Sequence, residues 1–231
     1  MAIHGFNKLT LLDYPGKVAA VIFLGGCNFR CPFCQNSGLV LETSHQPSID
    51  PGEILKFLKR RTGILDGVCI TGGEPTSSSD LPELCRAIKD LGFLVKLDTN
   101  GSHPKMVKDL ASDGLLDMVA MDIKSSKEHY ADAAGIPGIN LAPIEETADF
   151  LLHGKLPYEF RTTAVKELHT EEDFKSIGKW IAGADAYFLQ AYKDAPTVMK
   201  RGFTSFDKPE LLKFRSLLLK TIPRVELRGV D

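Results

Sequence analysis

The chain of 231 residues is long enough for one large α/β domain or two small domains. Hydrophobic residues make up 43% and charged residues 25%, which is ordinary for a globular protein with a sizeable core. A formal net charge of −2 argues against a dedicated nucleic-acid-binding protein, which usually carries a basic excess. The longest purely apolar run, 18–24, is too short to span a bilayer, and no signal-peptide pattern opens the sequence. We therefore expect a soluble cytoplasmic protein that binds neither nucleic acid nor membranes.

Short apolar segments alternate with helical patterns along the chain. Strands are predicted at 18–24, 68–71, 94–98, 118–123, 159–164 and 186–191, with a shorter strand at 225–227. Helices are predicted from 51 to about 61 and at 81–91, 104–112, 142–152, 171–181 and 209–219. Asp50 and Thr170 stand where helix N-caps are expected, because their side-chain oxygens can accept from the first backbone N–H groups. The alternation predicts an α/β fold of βαβ units with a parallel sheet, in a single domain covering 1–231.

Polar segments follow the first four predicted strands directly. They are the cysteine-containing segment 25–36, the Gly-Gly-Glu-Pro segment 72–75, the Asp-Thr-Asn-Gly segment 98–101, and the pair Asp122 and Lys124. Reactive groups of parallel α/β folds gather at the carboxyl ends of strands. We therefore expect these segments to lie at one rim of the sheet. Arg161 and Gln190, on the fifth and sixth predicted strands, are expected to point towards the same rim or cavity.

Three cysteines, Cys27, Cys31 and Cys34, have the spacing Cys-x3-Cys-x2-Cys. Thiolates are the ligands that iron–sulfur clusters prefer, and three of them leave one iron of a four-iron cluster open for a cofactor or substrate. Cysteines of a buried helix face are one alternative, but Pro32 disfavours a helix here. Structural zinc is another alternative, and it needs a fourth ligand, for which His45 is the nearest candidate.

The other two cysteines, Cys69 and Cys85, are expected to be ordinary core residues. Each stands among apolar neighbours, the first in a predicted strand and the second in a predicted helix. No second cluster pattern is visible in the sequence, so an electron donor would have to be external, such as flavodoxin or ferredoxin.

The cysteine spacing, with aromatic Phe33 just before the last cysteine, resembles the signature of the radical S-adenosylmethionine (SAM) enzymes. The segments 13–16 (Asp-Tyr-Pro-Gly) and 35–36 (Gln-Asn) resemble one branch, the activating enzymes of glycyl-radical proteins, and within it the short anaerobic ribonucleotide reductase activating proteins. The resemblance runs from about residue 5 to residue 192. It implies a partial (β/α)6 parallel barrel, an oxygen-sensitive [4Fe–4S] cluster on the three cysteines, and reductive cleavage of SAM to a 5′-deoxyadenosyl radical. That radical would abstract hydrogen from a glycine of a partner enzyme.

The resemblance also implies roles for the polar segments. Gly72, Gly73 and Glu74 would receive the amino group of SAM. Contacts to the ribose or carboxylate side would come from Asp98, Thr99 and Asn100, while Asp122 and Lys124 would line the cofactor site, with Lys124 pairing with the carboxylate. Phe33, Arg161 and Gln190 are further candidates for cofactor binding. Asp98, Thr99 and Asp122 would also hold a monovalent cation, Na⁺ or K⁺. The chain departs from the branch at Lys193, where many activating enzymes have histidine.

Two other functional hypotheses remain open at this point. The same radical chemistry could act on a small molecule or peptide in a biosynthetic or modification pathway. A non-enzymatic protein that binds zinc or carries a cluster is the third hypothesis. The sequence alone leaves the substrate, the electron donor and the oligomeric state undetermined.

Overall fold

The computed structural model describes residues 2–41 and 46–230. His45, the candidate zinc ligand, lies outside these described residues. Within them, every helix is too short or too polar to cross a membrane. The chain forms two compact units, one containing residues up to 28 and 38–119, the other 29–37 and 120–231. The polypeptide therefore passes three times from one unit to the other, and the expectation of a single domain stays a prediction.

The first unit contains a sheet of mostly parallel strands. Its strands are β1 (Ile3–Thr10), β2 (Ala19–Leu24), β3 (Gly67–Gly72) and β4 (Leu94–Thr99), which pair in that order. β1 is antiparallel to β2, whereas β2, β3 and β4 run parallel. β2 is an apolar segment with five of its six residues buried, as expected for a parallel strand covered on both faces.

Helices of the first unit bury one apolar side each. They are α1 (Ser37–Leu41), α2 (Pro51–Lys59), α3 (Leu81–Asp90) and α4 (Pro104–Ser112), with a short 3-10 helix at Pro75–Ser77. Asp50 caps α2 by accepting a hydrogen bond from the Gly52 N–H. In α3 the buried residues include Leu81, Cys85 and Ile88, whose spacing places them on one face. Cys85 is thus the core residue that the sequence predicts, and Cys69 is likewise buried in β3.

The second unit has three further parallel strands. The boundary between the two units in sequence, after Val119, lies within β5 (Met118–Asp122). The strands β6 (Tyr158–Ala164), β7 (Tyr187–Ala191) and β8 (Val225–Arg228) follow and pair in parallel. Just beyond β5, the Ile123 N–H donates to the Arg161 carbonyl of β6 at 2.8 Å. The helices are α5 (Tyr130–Ala134), α6 (Ala142–His153), α7 (Glu171–Trp180) and α8 (Lys208–Leu218).

Aromatic packing and capping fix the two long helices that follow β6 and β7. The rings of Phe174 on α7 and Phe214 on α8 stack with centroids 4.5 Å apart, and Phe206 meets both edge-on. α7 and α8 each begin with a reciprocal capping box, formed in α7 by Thr170 and Asp173. These local signals explain why both helices begin where the sequence predicts.

Candidate active site

The cysteine segment 25–36 follows β2 as a loop without regular secondary structure. All five cysteines of the chain are outside disulfides. The first part of the loop is held by backbone bonds, from the Gly25 N–H to the Ala2 carbonyl at 2.9 Å and from the Gly26 N–H to the Leu39 carbonyl at 2.8 Å. The absence of a helix here agrees with the expectation that Pro32 disfavours one, and a loop of this length can turn its thiols towards a cluster.

The glycine pair at the end of β3, Gly72 and Gly73, packs directly against the start of the cysteine loop. A Cβ at Gly73 would lie 1.9 Å from the Gly26 carbonyl oxygen, and a Cβ at Gly72, where φ is +129°, would lie 2.2 Å from the Leu24 carbonyl oxygen. The Glu74 N–H donates to the Gly26 carbonyl at 2.7 Å. Only glycine permits this backbone approach. The structure therefore brings the predicted glycine segment and Cys27 together within the first unit.

Glu74 lies buried at the centre of this part of the site, with 2% of its surface exposed. Its carboxylate accepts hydrogen bonds from the Thr99 hydroxyl at 2.7 Å and from the Asn100 N–H at 2.6 Å. It also accepts from the backbone and hydroxyl of Thr76. Burial raises the pKa of the Glu74 carboxyl, and these donated hydrogen bonds oppose that rise. In this geometry Glu74 joins the 72–76 loop to the loop after β4.

A second connection joins the loop after β4 to the cysteine loop. The Asn100 side-chain N–H donates to the Asn28 side-chain oxygen at 2.9 Å, and the Asn28 side-chain N–H donates to the Ser102 hydroxyl at 2.8 Å. The Asn100 side-chain oxygen in turn accepts from the Ser102 N–H at 3.0 Å and hydroxyl at 2.6 Å. Thus three strand-end segments predicted to meet, those of Cys27, Glu74 and Asn100, do meet in the first unit.

Lys96 is a buried cation that the sequence analysis missed. Its side chain is 1% exposed, and its ammonium donates to the Asp13 carbonyl at 2.6 Å and lies 3.8 Å from the Asp98 carboxylate. Lys96 and Asp98 stand two residues apart on β4 and so share one face. The available signal was a lysine between the apolar residues Val95 and Leu97 of a predicted strand. Its bond to Asp13 also ties the Asp-Tyr-Pro-Gly segment to the sheet.

The second part of the cysteine loop belongs to the second unit. The Arg30 N–H donates to the Ala134 carbonyl at 2.9 Å, and a Cβ at Gly135 would lie 2.0 Å from the Arg30 carbonyl oxygen. Cys31 and Phe33 are buried, and Cys34 is half-buried. The Cys34 N–H bonds to the Cys31 carbonyl at 3.0 Å, which closes a tight turn between these two cysteines.

Residues after β7 support the same part of the loop, and we call the segment 193–200 the post-β7 segment. The Met199 N–H donates to the Cys34 carbonyl at 2.9 Å and the Lys200 N–H to the Pro32 carbonyl at 2.8 Å. The Gln35 side chain donates to the Lys193 carbonyl at 2.5 Å. Lys193, the position of departure from the branch, thus supports the cysteine loop through its backbone.

Asp122 at the end of β5 is held between two cations. The Arg161 guanidinium donates to one carboxylate oxygen at 2.9 Å and the Lys124 ammonium to the other at 2.9 Å. Burial raises the pKa of the Asp122 carboxyl, but Arg161 and Lys124 outweigh it and hold the pKa at about 2. Burial lowers the pKa of Lys124, whereas Asp122 and Cys31 raise it above its ordinary value. Lys124 is therefore permanently charged, and it interacts electrostatically with Cys31.

Two other residues support this region of the second unit. The Gln190 side chain donates to the Thr163 hydroxyl at 3.4 Å, which is a long hydrogen bond. His169, which the sequence analysis did not select, is buried and bonds through Nε2 to the Lys124 carbonyl at 2.8 Å. Because that carbonyl is an acceptor, Nε2 carries the proton, and His169 fixes the backbone beside Lys124.

In the parts of the chain that the structure describes, no three His, Cys, Asp or Glu side chains form a ready ligand set for a metal ion. A cluster distributes its cysteines over different irons, one thiolate to each, so it does not require that arrangement. The cation proposed for Asp98, Thr99 and Asp122 stays a prediction.

Comparison with known proteins decides the family. A model of the radical SAM superfamily matches residues 21–181, which include all three loop cysteines and the segments after β3, β4 and β5. The chain belongs to the radical SAM superfamily. This assignment implies a [4Fe–4S] cluster and SAM as the cofactors.

Two relatives from Methanocaldococcus jannaschii align with almost the whole chain, beyond the cofactor-binding segments. Both are named "Putative glycyl-radical enzyme activating enzyme". One is 33% identical over 99% of this chain and 96% of its own length, and the other is 36% identical over 95% and 80%. A protein of Thermococcus kodakarensis named "Probable GTP 3',8-cyclase" is 34% identical over 63% of this chain and 47% of its own length.

Solved radical SAM structures confirm the predicted fold class. Streptococcus suis SuiB matches 90% of this chain with a TM-score of 0.71 and 14% identity, and this chain spans about half the length of SuiB, 48%. The protein anSMEcpe with bound AdoMet matches 85% of the chain with a TM-score of 0.56 and 20% identity. These identities are low, so the likeness concerns the α/β fold alone.

The residues present fit the cofactors that the family implies. The donor set is three reduced thiols on a backbone-anchored loop, the set that holds iron–sulfur clusters in proteins. A glycine pair that no side chain can replace lies against that loop, beside Cys27. Lys124 adds a positive charge in the surroundings of Cys31, and a nearby cation favours the thiolate that binds metal.

Proposed function

We propose that this protein activates a glycyl-radical enzyme by removing a hydrogen atom from a backbone glycine of that partner. The alignment with the two Methanocaldococcus jannaschii relatives carries this proposal, because it spans 99% and 95% of the chain rather than the cofactor-binding segments alone. Relatives with other named activities, such as the cyclase, align over a smaller share of the chain.

In this proposal Cys27, Cys31 and Cys34 hold the [4Fe–4S] cluster. When bound, the reduced cluster and SAM together supply a 5′-deoxyadenosyl radical, which is chemistry of the cofactors rather than of side chains. The protein's own task is to bind, orient and shield them. No acid or base is required for hydrogen-atom transfer, which agrees with a site built from loops, glycine backbone and fixed charge.

The SAM contacts are proposed from the strand-end segments. Backbone atoms of Gly72 and Gly73 would receive the amino group, with Glu74 acting chiefly by holding that loop against the loop after β4. Further contacts are proposed for Phe33, Asp98, Thr99, Asn100, Asp122, Lys124, Arg161 and Gln190. Asp98, Thr99 and Asp122 would hold a Na⁺ or K⁺ ion, since carboxylate and hydroxyl oxygens are hard ligands, and the ion would supply positive charge for the SAM carboxylate.

Anaerobic ribonucleotide reductase is the partner that we propose first. The reason is the resemblance of the segments 13–16 and 35–36 to its activating proteins. The electron would come from an external donor such as flavodoxin or ferredoxin, because the remaining cysteines, Cys69 and Cys85, are buried core residues.

Electron paramagnetic resonance (EPR) after anaerobic mixing tests the proposal. Reconstituted protein with about four irons per chain, SAM, dithionite and the candidate reductase should give a glycyl-radical signal on the partner. Cys31→Ala should abolish the signal, whereas the matched control Cys85→Ala, a buried thiol outside the loop, should retain it. The absence of a signal with every glycyl-radical protein of the host would contradict the proposal.

A radical SAM enzyme acting on a small molecule or peptide is the second candidate. The cyclase relative, at 34% identity over 63% of this chain, favours it. Both candidates predict SAM cleavage under dithionite, but only the second predicts a modified small product without any glycyl radical. Mass spectrometry of reactions with and without the partner protein distinguishes them.

A further inference from the structure

Asn28 follows the first loop cysteine directly, and its side chain is held at both ends. Its oxygen accepts from the Asn100 side chain at 2.9 Å and its N–H donates to the Ser102 hydroxyl at 2.8 Å. Asn28 as a whole residue is exposed, on a loop without regular secondary structure. Two side-chain bonds to a distant segment therefore restrict the direction in which the adjacent Cys27 points.

The segment that holds Asn28 is itself rigid. Asn100 and Ser102 bond to each other, and the Asn100 N–H donates to the buried Glu74 carboxylate at 2.6 Å. The Ser102 hydroxyl also lies 3.1 Å from His103 Nδ1. This network connects the loop after β4, where SAM contacts are proposed, with the residue beside a proposed cluster ligand.

We propose that Asn28 is a positioning residue that couples SAM occupancy at the loop after β4 to the orientation of Cys27. SAM that contacts residues 98–100, at the end of β4 and the start of the loop after it, changes or fixes that loop, and the bonds of Asn28 transmit the change to the cluster loop. The inference rests on the cofactor chemistry of the proposed function and not on the identity of the partner protein. The Asn28 side chain touches neither reacting atoms nor the glycine substrate in this role.

Exposure of Asn28 makes the role separable from folding. Substitution of an exposed residue usually changes stability little, so Asn28→Ala should keep the melting temperature and iron content of the wild type. Asn28→Asp keeps an oxygen that can accept from Asn100 and from the rotatable Ser102 hydroxyl, so it should rescue the coupling. Asn140→Ala is the matched control, because Asn140 is also exposed and makes a single local bond to the Ala142 N–H at 3.1 Å.

The first readout uses the protein without metal. Hydrogen–deuterium exchange of the backbone in peptides covering 25–30 and 99–103 should become faster in Asn28→Ala and stay unchanged in Asn140→Ala. The second readout titrates SAM into the reduced, reconstituted protein and follows the SAM-induced change in the cluster EPR spectrum. The half-saturating SAM concentration should rise about tenfold in Asn28→Ala, as expected for loss of a hydrogen-bonded connection, and return near the wild-type value in Asn28→Asp.

Three results would overturn the inference. The first is that Asn28→Ala shows the exchange rates and the half-saturating SAM concentration of the wild type. The second is that Asn28→Ala loses iron together with its SAM response, and the third is that Asn28→Asp fails to restore the SAM response. A wild-type protein without any SAM-induced change would overturn both this inference and the proposed cofactor chemistry. A normal wild-type SAM response with unaltered Asn28→Ala overturns the inference alone and leaves the proposed function intact.

Discussion

At the scale of single residues, the most constrained position of the site is Gly73. Its missing side chain lets the backbone after β3 lie against the Gly26 carbonyl, beside Cys27. Gly63 offers a contrast, because a Cβ there would meet nothing within 4 Å although its φ is +78°. Conformation and close approach are thus separate demands on glycine: Gly63 shows the first alone, whereas Gly72 combines a φ of +129° with a close approach to the Leu24 carbonyl.

Replacing Gly73 by alanine should impair cluster assembly. The added Cβ would lie 1.9 Å from the Gly26 carbonyl oxygen, so the cysteine loop or the glycine segment must move. We expect iron content after anaerobic reconstitution to fall severalfold. Gly63→Ala should lower stability by about 1 kcal/mol through backbone strain while keeping full iron content. Equal iron content in both variants, measured by a colorimetric assay, would contradict this account.

At the scale of secondary structure, the start of α7 depends on one buried carboxylate. Asp173 accepts from the Thr170 N–H at 2.8 Å and from the hydroxyls of Thr170 and Ser126. His129 Nδ1 lies 2.7 Å from it. Burial raises the pKa of the Asp173 carboxyl, but the hydrogen bonds from Ser126 and Thr170 prevail and hold the pKa at about 2.

Replacing Asp173 by alanine should lower the free energy of unfolding by about 2 kcal/mol at pH 7, since it removes a capping box and buried hydrogen bonds. The folded-state pKa of about 2 lies below the usual unfolded value, which is about 3.9. The stabilisation is therefore complete above pH ~4 and is lost as the pH falls towards 2. In urea unfolding at pH 7 and pH 3, the free energies of unfolding of wild type and variant should differ less at pH 3. This prediction would be refuted if the difference in free energy of unfolding were the same at both pH values. It would also be refuted if the exposed control Glu172→Ala lost as much stability as Asp173→Ala.

The sequence predicted the elements with strong local signals and missed those without them. The strands from β2 to β8 and the capped helices α2, α7 and α8 lie where predicted, although α2 ends at Lys59 rather than near 61. β1 was missed because Gly5 and Asn7 interrupt its alternation, and its pairing with β2 shifts register at both ends. The short helices α1 and α5 give too few residues for a periodic pattern.

The same distinction holds within the site. The cysteines and the glycine segment were predictable, because spacing and backbone chemistry are local properties. The Asn28 bonds to Asn100 and Ser102 join residues more than 70 positions apart, and the bond from His169 to the Lys124 carbonyl joins residues 45 apart. No local pattern encodes such pairings, so the fold had to be known before these residues could be recognised.

At the scale of the whole molecule, the two compact units are interleaved in sequence, because residues 29–37 belong to the second unit and lie between two stretches of the first. The only tryptophan, Trp180, ends α7 in the second unit, where Lys127 lies over its ring and Tyr130 meets it edge-on. Tryptophan fluorescence therefore reports on that unit, whereas far-ultraviolet circular dichroism reports on helices and strands of both.

The two spectroscopic signals should follow one unfolding transition in urea. Neither unit is a continuous stretch of chain, so we expect neither to unfold alone, in agreement with the predicted single domain of 1–231. The midpoints from fluorescence and circular dichroism should agree within error. A fluorescence transition clearly earlier or later than the circular dichroism transition would show two independently stable units.

The post-β7 segment has a consequence for genetics. Its backbone supports the cysteine loop at Cys34 and Pro32 although no residue of the segment carries a thiol or belongs to the superfamily match at 21–181. Insertions or deletions in the post-β7 segment would yield colourless, iron-poor protein. A genetic screen for loss of activity would then misclassify these mutants as defects in the host's iron–sulfur cluster assembly. Complementation with extra assembly machinery would not repair such alleles, because the lesion lies in the polypeptide that receives the cluster.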